Sequence, residues 1–149
     1  MGGCMQEQAY GRLVVLEAND REVIAMQWKR GATCAIHDHG ATASGRVHLV
    51  VGALMEERFA FDGQTLRATE RLHHVAPCTI EVPAGLIHRM TAEADAEVTL
   101  SIHHYAPRIS RMRLYDPVGR RTITVPDDCG AWLPASSEAI VDIEPWSAP

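Results

Sequence analysis

The chain alternates hydrophobic and polar positions in short runs, which are broken by glycine, proline, asparagine and aspartate. Such runs predict strands, because successive side chains of a strand point to opposite faces. The runs that carry this pattern are 12–17, 22–28, 47–51, 54–61, 64–72, 78–82, 97–105, 111–115 and 121–125. Asp62-Gly63 predicts a hairpin turn, since glycine tolerates the positive φ of such turns. No segment has the periodicity of an amphipathic helix of three turns.

Many short strands with Gly/Pro turns indicate an all-β sandwich or barrel, and the pattern alone does not choose between them. A chain of 149 residues fits one domain that can bury a core of its own. We expect this single domain to span 1–149, with the barrel core at about 10–125. Residues 126–149 are rich in Pro, Ser and Ala and predict an irregular tail packed across the barrel.

Composition and charge narrow the class of protein further. The net charge is -5, with 46% hydrophobic and 22% charged residues, which is typical of a soluble globular protein. It gives no basic footprint for nucleic acid, and no apolar run reaches membrane-spanning length. We expect Arg108, Arg111 and Arg113 to lie on a solvated strand face. Four scattered cysteines without a C-x-x-C pair, and a start without the apolar run of a leader, favour the cytoplasm and reduced thiols.

Two histidine motifs carry the chemistry. His37-Asp38-His39 is an H-x-H, and on a strand its two imidazoles point to the same side. His88 follows Pro and Gly in a P-x-G-x-x-H segment at 83–88, where a turn would redirect the next strand. Three neutral imidazoles suit Fe, Zn, Cu or Ni and leave coordination positions open. The adjacent pair at 73–74 is instead expected at a solvated strand end.

Together the two motifs resemble both halves of the cupin signature, Gly31-x5-His37-x-His39 and Pro83-x-Gly85-x-x-His88. The resemblance implies a double-stranded β-helix, or jelly-roll barrel. Many cupins place a Glu a few residues after the H-x-H as a fourth ligand. The segment 40–46 reads GATASGR and holds no carboxylate. We therefore expect a site with three histidine ligands.

Four separated places extend the resemblance to the cysteine dioxygenase family of non-heme iron thiol dioxygenases. They are the Y-G-R of 10–12, the I-H-D-H of 36–39, the G-L-I-H-R of 85–89 and the S-I-H-H-Y-A-P of 101–107. With weaker similarity beyond them, the resemblance spans roughly 10–120. It implies Fe(II) on His37, His39 and His88, with O2 as co-substrate, although nickel or cobalt could replace the iron.

The resemblance also implies roles for residues around the metal. Arg12 would hold the substrate carboxylate, Tyr10 would line the pocket, and Trp28 lies on the strand before the metal motif. The remaining matches are Tyr105, whose hydroxyl would lie beside the substrate and the bound oxygen, and its orienting partners Ser101 and His103. These three share the period of a strand and face one side, which is also compatible with ordinary barrel lining. Three neutral ligands also favour an anionic thiolate on the metal.

One position departs from the mammalian members of that family. They carry a cysteine shortly after the H-x-H that cross-links to the active-site tyrosine. Here the stretch 43–45 reads Ala-Ser-Gly, so Tyr105 has no such partner. Gly45 fits the glycine that bacterial members often have at this place.

Three functions remain open from the sequence. The first is oxidation of L-cysteine, or a close thiol with a carboxylate, by O2 to the sulfinate. The second is a specialised cupin oxygenase that converts cysteine by oxidative decarboxylation or S–N bond formation. The third is a non-catalytic metal-binding cupin sensor. The expected partner is a small thiol amino acid, and the expected assembly is a monomer or homodimer.

Overall fold

In the computed structural model, the described residues are 8–149, and they form two antiparallel sheets. The strands are β1 (Tyr10–Glu17), β2 (Glu22–Trp28), β3 (Ile36–Asp38), β4 (Ser44–Val51), β5 (Ala53–Phe61), β6 (Leu66–Val75), β7 (Cys78–Val82), β8 (Ile87–Ala92), β9 (Thr99–Ala106), β10 (Arg111–Asp116), β11 (Arg121–Pro126) and β12 (Asp142–Pro145). One sheet has the order β1-β2-β9-β4-β7, and the other has the order β12-β11-β10-β3-β8-β5-β6. The prediction of an all-β fold is confirmed.

Alternation along the strands decides what faces the interior. In β9, buried and more exposed residues alternate from Thr99 to Ala106, so every second side chain enters the space between the sheets. The core draws on both sheets, with Val47 and Ile80 from one and Leu54 and Leu114 from the other, all 2% exposed or less. Each such side chain stabilises the fold by about 1.5–3 kcal/mol relative to exposure.

The C-terminal segment differs from the expected irregular tail. It contains a short 3-10 turn, Ser137–Ala139, and the strand β12, which pairs with β11. The indole Nε1–H of Trp146 donates to Thr122 Oγ1 at 2.9 Å and fixes the end of this strand. Without β12 the backbone of β11 would be an unpaired sheet edge, which explains why a sequence with weak strand character still pairs there. Across residues 8–149, no helix is long and apolar enough to cross a membrane.

Candidate active site

The three histidines predicted as metal ligands meet inside the barrel. His37 lies on β3 directly opposite His88 on β8, and His39 follows β3 by one residue. One ring nitrogen from each lies within 4.8 Å of the others, and the ring centroids are 4.7 to 5.5 Å apart. All three side chains are buried. The two motifs, fifty residues apart in the chain, thus form a single cluster of nitrogen donors.

The imidazole rings of His37 and His88 are oriented by hydrogen bonds at Nδ1. Nδ1 of His37 lies 2.8 Å from the carbonyl oxygen of Ala35, and Nδ1 of His88 lies 2.7 Å from Oε2 of Glu56. A hydrogen bond at Nδ1 leaves Nε2 as the ligand atom and fixes the orientation of the ring. Burial, reinforced by neighbouring His88, lowers the pKa of His37 to about 3, and burial likewise holds the pKa of His39 well below its usual value. Neutral imidazoles are the form that binds a metal, so the donor set fits a divalent transition metal.

Asp38, the middle residue of the H-x-H, anchors the metal-binding strand from the opposite side. It is fully buried and accepts hydrogen bonds from the hydroxyl of Tyr115 at 2.6 Å and from Arg113 at 2.9 to 3.0 Å. The expectation of a solvated strand face holds for Arg111 and Arg113, which are exposed on β10. It was wrong for Arg108, which lies between β9 and β10, is partly buried, and forms ion pairs with Glu17 and with an aspartate of the tail.

A chain of hydrogen bonds runs from β2 through β9 to the three-histidine cluster. The Trp28 indole N–H donates to Ser101 Oγ at 2.9 Å, and Ser101 Oγ lies 2.8 Å from Nε2 of His103. Nδ1 of His103 is 3.1 Å from the hydroxyl of Tyr105, which lies 3.4 Å from Nε2 of His39. Every second residue of β9 contributes, because alternate side chains of a strand face one side.

Burial keeps this chain of hydrogen bonds uncharged. Desolvation, with a contribution from His88, lowers the pKa of His103 to about 3. Desolvation also raises the pKa of Tyr105 far above its ordinary value, so the phenol keeps its proton. A neutral imidazole and a neutral phenol can each donate one hydrogen bond and accept another. The Tyr105 hydroxyl is thus available as a hydrogen-bond donor at the edge of the three-histidine cluster.

The predicted substrate residues come from the edge of the same cavity. Arg12 on β1 donates from Nη1 to the carbonyl of Asp128 at 3.1 Å, and its remaining N–H groups are further donors. Tyr10 packs against Trp28 in a tilted arrangement with ring centroids 4.8 Å apart, and its hydroxyl accepts a hydrogen bond from the Ala131 backbone N–H at 2.9 Å. These side chains and the three-histidine cluster line one cavity.

Of the nine predicted site residues, eight line this cavity. They are Tyr10, Arg12, Trp28, His37, His39, His88, His103 and Tyr105. Ser101 does not line it and lies behind His103, where it fits the expected orienting role.

Sequence reasoning missed part of the cavity wall. The tail contributes Asp127, Cys129 and Gly130, and burial raises the pKa of Cys129. Glu22 on β2 also lines the cavity, and its carboxylate accepts from the Ile109 backbone N–H at 3.3 Å. No motif marks these residues, because they reach the site through tertiary packing of β2 and of the chain after β11.

The sequence analysis also missed a buried carboxylate that contacts the three-histidine cluster. Glu56 on β5 is 0% exposed and contacts His88, His74 and Arg58. Burial alone would raise its pKa, but the hydrogen bonds from the two histidines and the charge of Arg58 outweigh that effect and lower the pKa to about 2. The expectation that His74 lies in a solvated strand end was wrong, whereas His73 is exposed and pairs with Glu93.

Gly45 on β4 packs directly against Tyr105 on β9. A Cβ added to it would lie 2.5 Å from Cδ1 of Tyr105 and would also overlap the backbone oxygen of His104. The resemblance found in the sequence matches Gly45 to the place where bacterial members often have glycine and mammalian members have the cross-linking cysteine. The structure therefore shows contact at that position but no room for a side chain.

Comparison with known proteins identifies the family. Residues 4–118 match the family described as "Cysteine dioxygenase type I". The chain belongs to this family. The four motifs recognised in the sequence all lie within the matched residues, so the predicted family is confirmed. Membership in the cysteine dioxygenase family, together with the three-histidine cluster, supports a metal-dependent, thiol dioxygenase-like role.

Solved structures place this member of the cysteine dioxygenase family in the cupin fold. A double-stranded β-helix protein from Klebsiella pneumoniae shares 20% identity over 70% of this chain and 78% of its own, with a TM-score of 0.59. KdgF from Halomonas sp. shares 20% identity over 68% of this chain and 82% of its own, with a TM-score of 0.55. An RmlC-like cupin from Shewanella frigidimarina shares 14% over 72% and 87%, with a TM-score of 0.53. These likenesses confirm the double-stranded β-helix and concern the fold alone.

Proposed function

We propose that the protein is an Fe(II)-dependent thiol dioxygenase that oxidises L-cysteine, or a close thiol with a carboxylate, to the sulfinate. In this reaction both atoms of O2 are added to the sulfur, so that R–SH and O2 give R–SO2H without a further reductant. The observation that carries the proposal is the single cavity shared by the three-histidine cluster, the Tyr105 hydroxyl and the Arg12 guanidinium.

The three-histidine cluster sets the charge of the site. Its ligands are neutral, so they leave a divalent metal with its full positive charge. When bound, Fe(II) would supply a Lewis acid with open positions for a thiolate and for dioxygen. The lining residues His37, His39 and His88 would hold the metal through nitrogen atoms that face one another.

Arg12 would position the substrate. Its planar guanidinium forms paired hydrogen bonds with a carboxylate, and the bond to the Asp128 carbonyl holds the side chain in place. A fixed carboxylate restricts the thiol to one approach to the histidine cluster. Positioning of this kind can supply a large part of a rate enhancement.

Tyr105 would donate a hydrogen bond to the reacting atoms. Its hydroxyl lies 3.4 Å from a ligand nitrogen of His39, and burial raises its pKa so that the proton stays on the phenol. His103 holds the hydroxyl at 3.1 Å and is itself held by Ser101. This chain of hydrogen bonds is buried, and Asp127, Cys129 and Gly130 form part of the cavity wall, so this end of the cavity would limit the access of water to the reacting atoms.

The direct test is oxygen uptake by the iron-loaded protein with L-cysteine, with the product identified by mass spectrometry. We expect uptake and cysteine sulfinate, and we expect neither from a His88→Ala variant. Release of CO2 or a product with nitrogen bound to sulfur would replace the proposal by the specialised oxygenase. Thiol binding without oxygen uptake, with any of Fe, Ni or Co, would replace it by the sensor.

Two further expectations accompany the proposed function. Cys34, Cys78 and Cys129 are free thiols, which fits a reaction in the reducing cytoplasm. The expected assembly remains a monomer or a homodimer, and gel filtration with light scattering would distinguish the two.

A further inference from the structure

Glu56 links the three-histidine cluster to Arg58 and His74, two polar residues that the proposed reaction does not use. Its two carboxylate oxygens have separate partners. Oε2 lies 2.7 Å from Nδ1 of His88. Oε1 accepts from Nε of Arg58 at 3.0 Å and lies 3.2 Å from Nε2 of His74.

Strand register explains how these groups meet. Arg58 on β5 pairs with His88 on β8, and Leu54 on β5 pairs with His74 on β6. Glu56 lies two residues from each of these β5 positions, so it faces the same side of the sheet and reaches both histidines diagonally. These contacts thus cross three adjacent strands and end at the ligand opposite His37.

The environment of Glu56 fixes it as a carboxylate. Its side chain is 0% exposed, and Arg58, whose side chain is 23% exposed, pairs with Oε1 at 3.0 Å. Burial of an ion is unfavourable unless hydrogen bonds satisfy its oxygens, and here the two histidines and the arginine do so. Arg58 and His74 contact Oε1 of Glu56, so Oε2 remains for the hydrogen bond with His88.

We propose that Glu56 is a positioning residue for the metal centre. It holds His88 with its proton on Nδ1 and its Nε2 toward the other two ligands, and it places a negative charge behind a site whose direct ligands are all neutral. A carboxylate bonded to a ligating histidine orients the ring and raises its basicity as a ligand. The carboxylate missing after the H-x-H is thus supplied one hydrogen bond away from the metal, from β5. The inference rests on the metal site of the proposed function but not on its reaction.

A purely structural ion pair would leave metal binding unchanged when the charge is removed. Arg58 also lies 3.8 Å from Glu70 and donates to the Glu81 carbonyl at 3.5 Å, so the arginine has other partners. The shortest contact of Glu56 is the one to the metal ligand, not the one to the arginine. The short contact to His88, and the other partners of Arg58, favour a role of Glu56 in orienting His88 over a role in the ion pair alone.

The test compares Glu56→Gln with Glu57→Gln in Co(II) titrations of the metal-free protein, followed by the ligand-field absorption of cobalt. Glu57 is the adjacent residue of β5 and pairs with Arg89 near the surface, which makes it a matched control. We expect Glu56→Gln to lower cobalt affinity about 10-fold to 100-fold and to shift the absorption bands, while Glu57→Gln matches the wild type. Unchanged affinity and spectrum in a folded Glu56→Gln protein would overturn the proposal.

A second measurement needs no variant, in case Glu56→Gln does not fold. Long-range ¹H–¹⁵N spectra of the zinc-loaded wild type report which ring nitrogen of each histidine binds the metal and which carries the proton. We expect His88 to bind through Nε2 and to carry its proton on Nδ1, and binding through Nδ1 would overturn the proposal. Both readouts are independent of catalysis: a protein that passes them but consumes no oxygen with thiols would contradict only the proposed function.

Discussion

The hydroxyl oxygen of Tyr105 lies 3.4 Å from Nε2 of His39, although 66 residues separate the two in the chain. β4, which follows the H-x-H, pairs with β9, and Gly45 there lies opposite Tyr105. If His39 binds the proposed metal, a phenol at this distance can reach an atom bound beside it. The relationship joins the metal motif to the hydrogen bonds of β9 and motivates the first prediction.

Replacing Tyr105 with Phe should lower kcat for L-cysteine oxidation by about 100-fold, the scale for loss of one donor to developing charge. Iron content should stay at the wild-type level, because the phenol is not one of the three clustered nitrogen donors. Steady-state oxygen uptake and metal analysis measure the two effects. His104→Gln is the matched control, since the side chain of His104 points to the other side of β9. Equal kcat in Tyr105→Phe and wild type would remove the assigned role.

Replacing Arg12 with Lys should weaken binding of L-cysteine about tenfold to a hundredfold, because hydrogen bonds to a charged group contribute roughly 1.5–3 kcal/mol. Lysine keeps the charge but lacks the planar fork. Binding of cysteamine, which has the thiol and amine but no carboxylate, should not change. Thiolate absorption of the cobalt-substituted protein measures both affinities. Equal losses for the two thiols would show that Arg12 does not read the carboxylate, and Arg71→Lys on exposed β6 serves as control.

Replacing Gly45 with Ala should destabilise the protein and disturb Tyr105. The new Cβ would meet the tyrosine ring at 2.5 Å, and forced overpacking of this kind costs about 1–3 kcal/mol. Gly11→Ala is the control, because a Cβ at Gly11 has no neighbour within 4 Å. Urea unfolding and oxygen uptake measure the two effects. Wild-type stability together with wild-type turnover in Gly45→Ala would contradict the observed packing.

The metal-free protein should lose stability as the pH falls from 6.5 toward 3. His103 has a pKa of about 3 in the folded state, below its ordinary 6.5, so within this window the unfolded chain binds a proton that the folded chain does not. The free energy of unfolding therefore rises with pH here, by up to about 1.4 kcal/mol per pH unit for one such group. Buried His37, whose pKa is also lowered to about 3, acts in the same direction. His103→Gln should flatten the slope by one proton in urea unfolding across this range, and an unchanged slope would contradict the buried, neutral state of His103.

The sequence contained most of the site because its signals are local. The period of a strand places His37 beside His39, and Ser101, His103 and Tyr105 on one face. Both sets lie within short stretches, 37–39 and 101–105, so the spacing of the sequence alone reveals them.

The rest of the site depends on contacts between distant segments. Glu56 meets His88 only because β5 pairs with β8 in one register, and a shift by one residue would turn it to the opposite face. Cys129 reaches the cavity through the chain after β11, whose path has no periodic signal. The strand β12 was missed for a similar reason, since its pairing is decided by the open edge of β11 rather than by its own sequence.

The central claim is most directly tested by turnover of L-cysteine under ¹⁸O2 with the iron-loaded protein, followed by mass spectrometry of the product. A thiol dioxygenase places both atoms of one O2 molecule on the sulfur, so the account predicts a sulfinate in which both sulfur-bound oxygens carry the label. A sulfinate in which one or both sulfur-bound oxygens are unlabelled and so come from water, or cystine as the sole oxidised species, would contradict it.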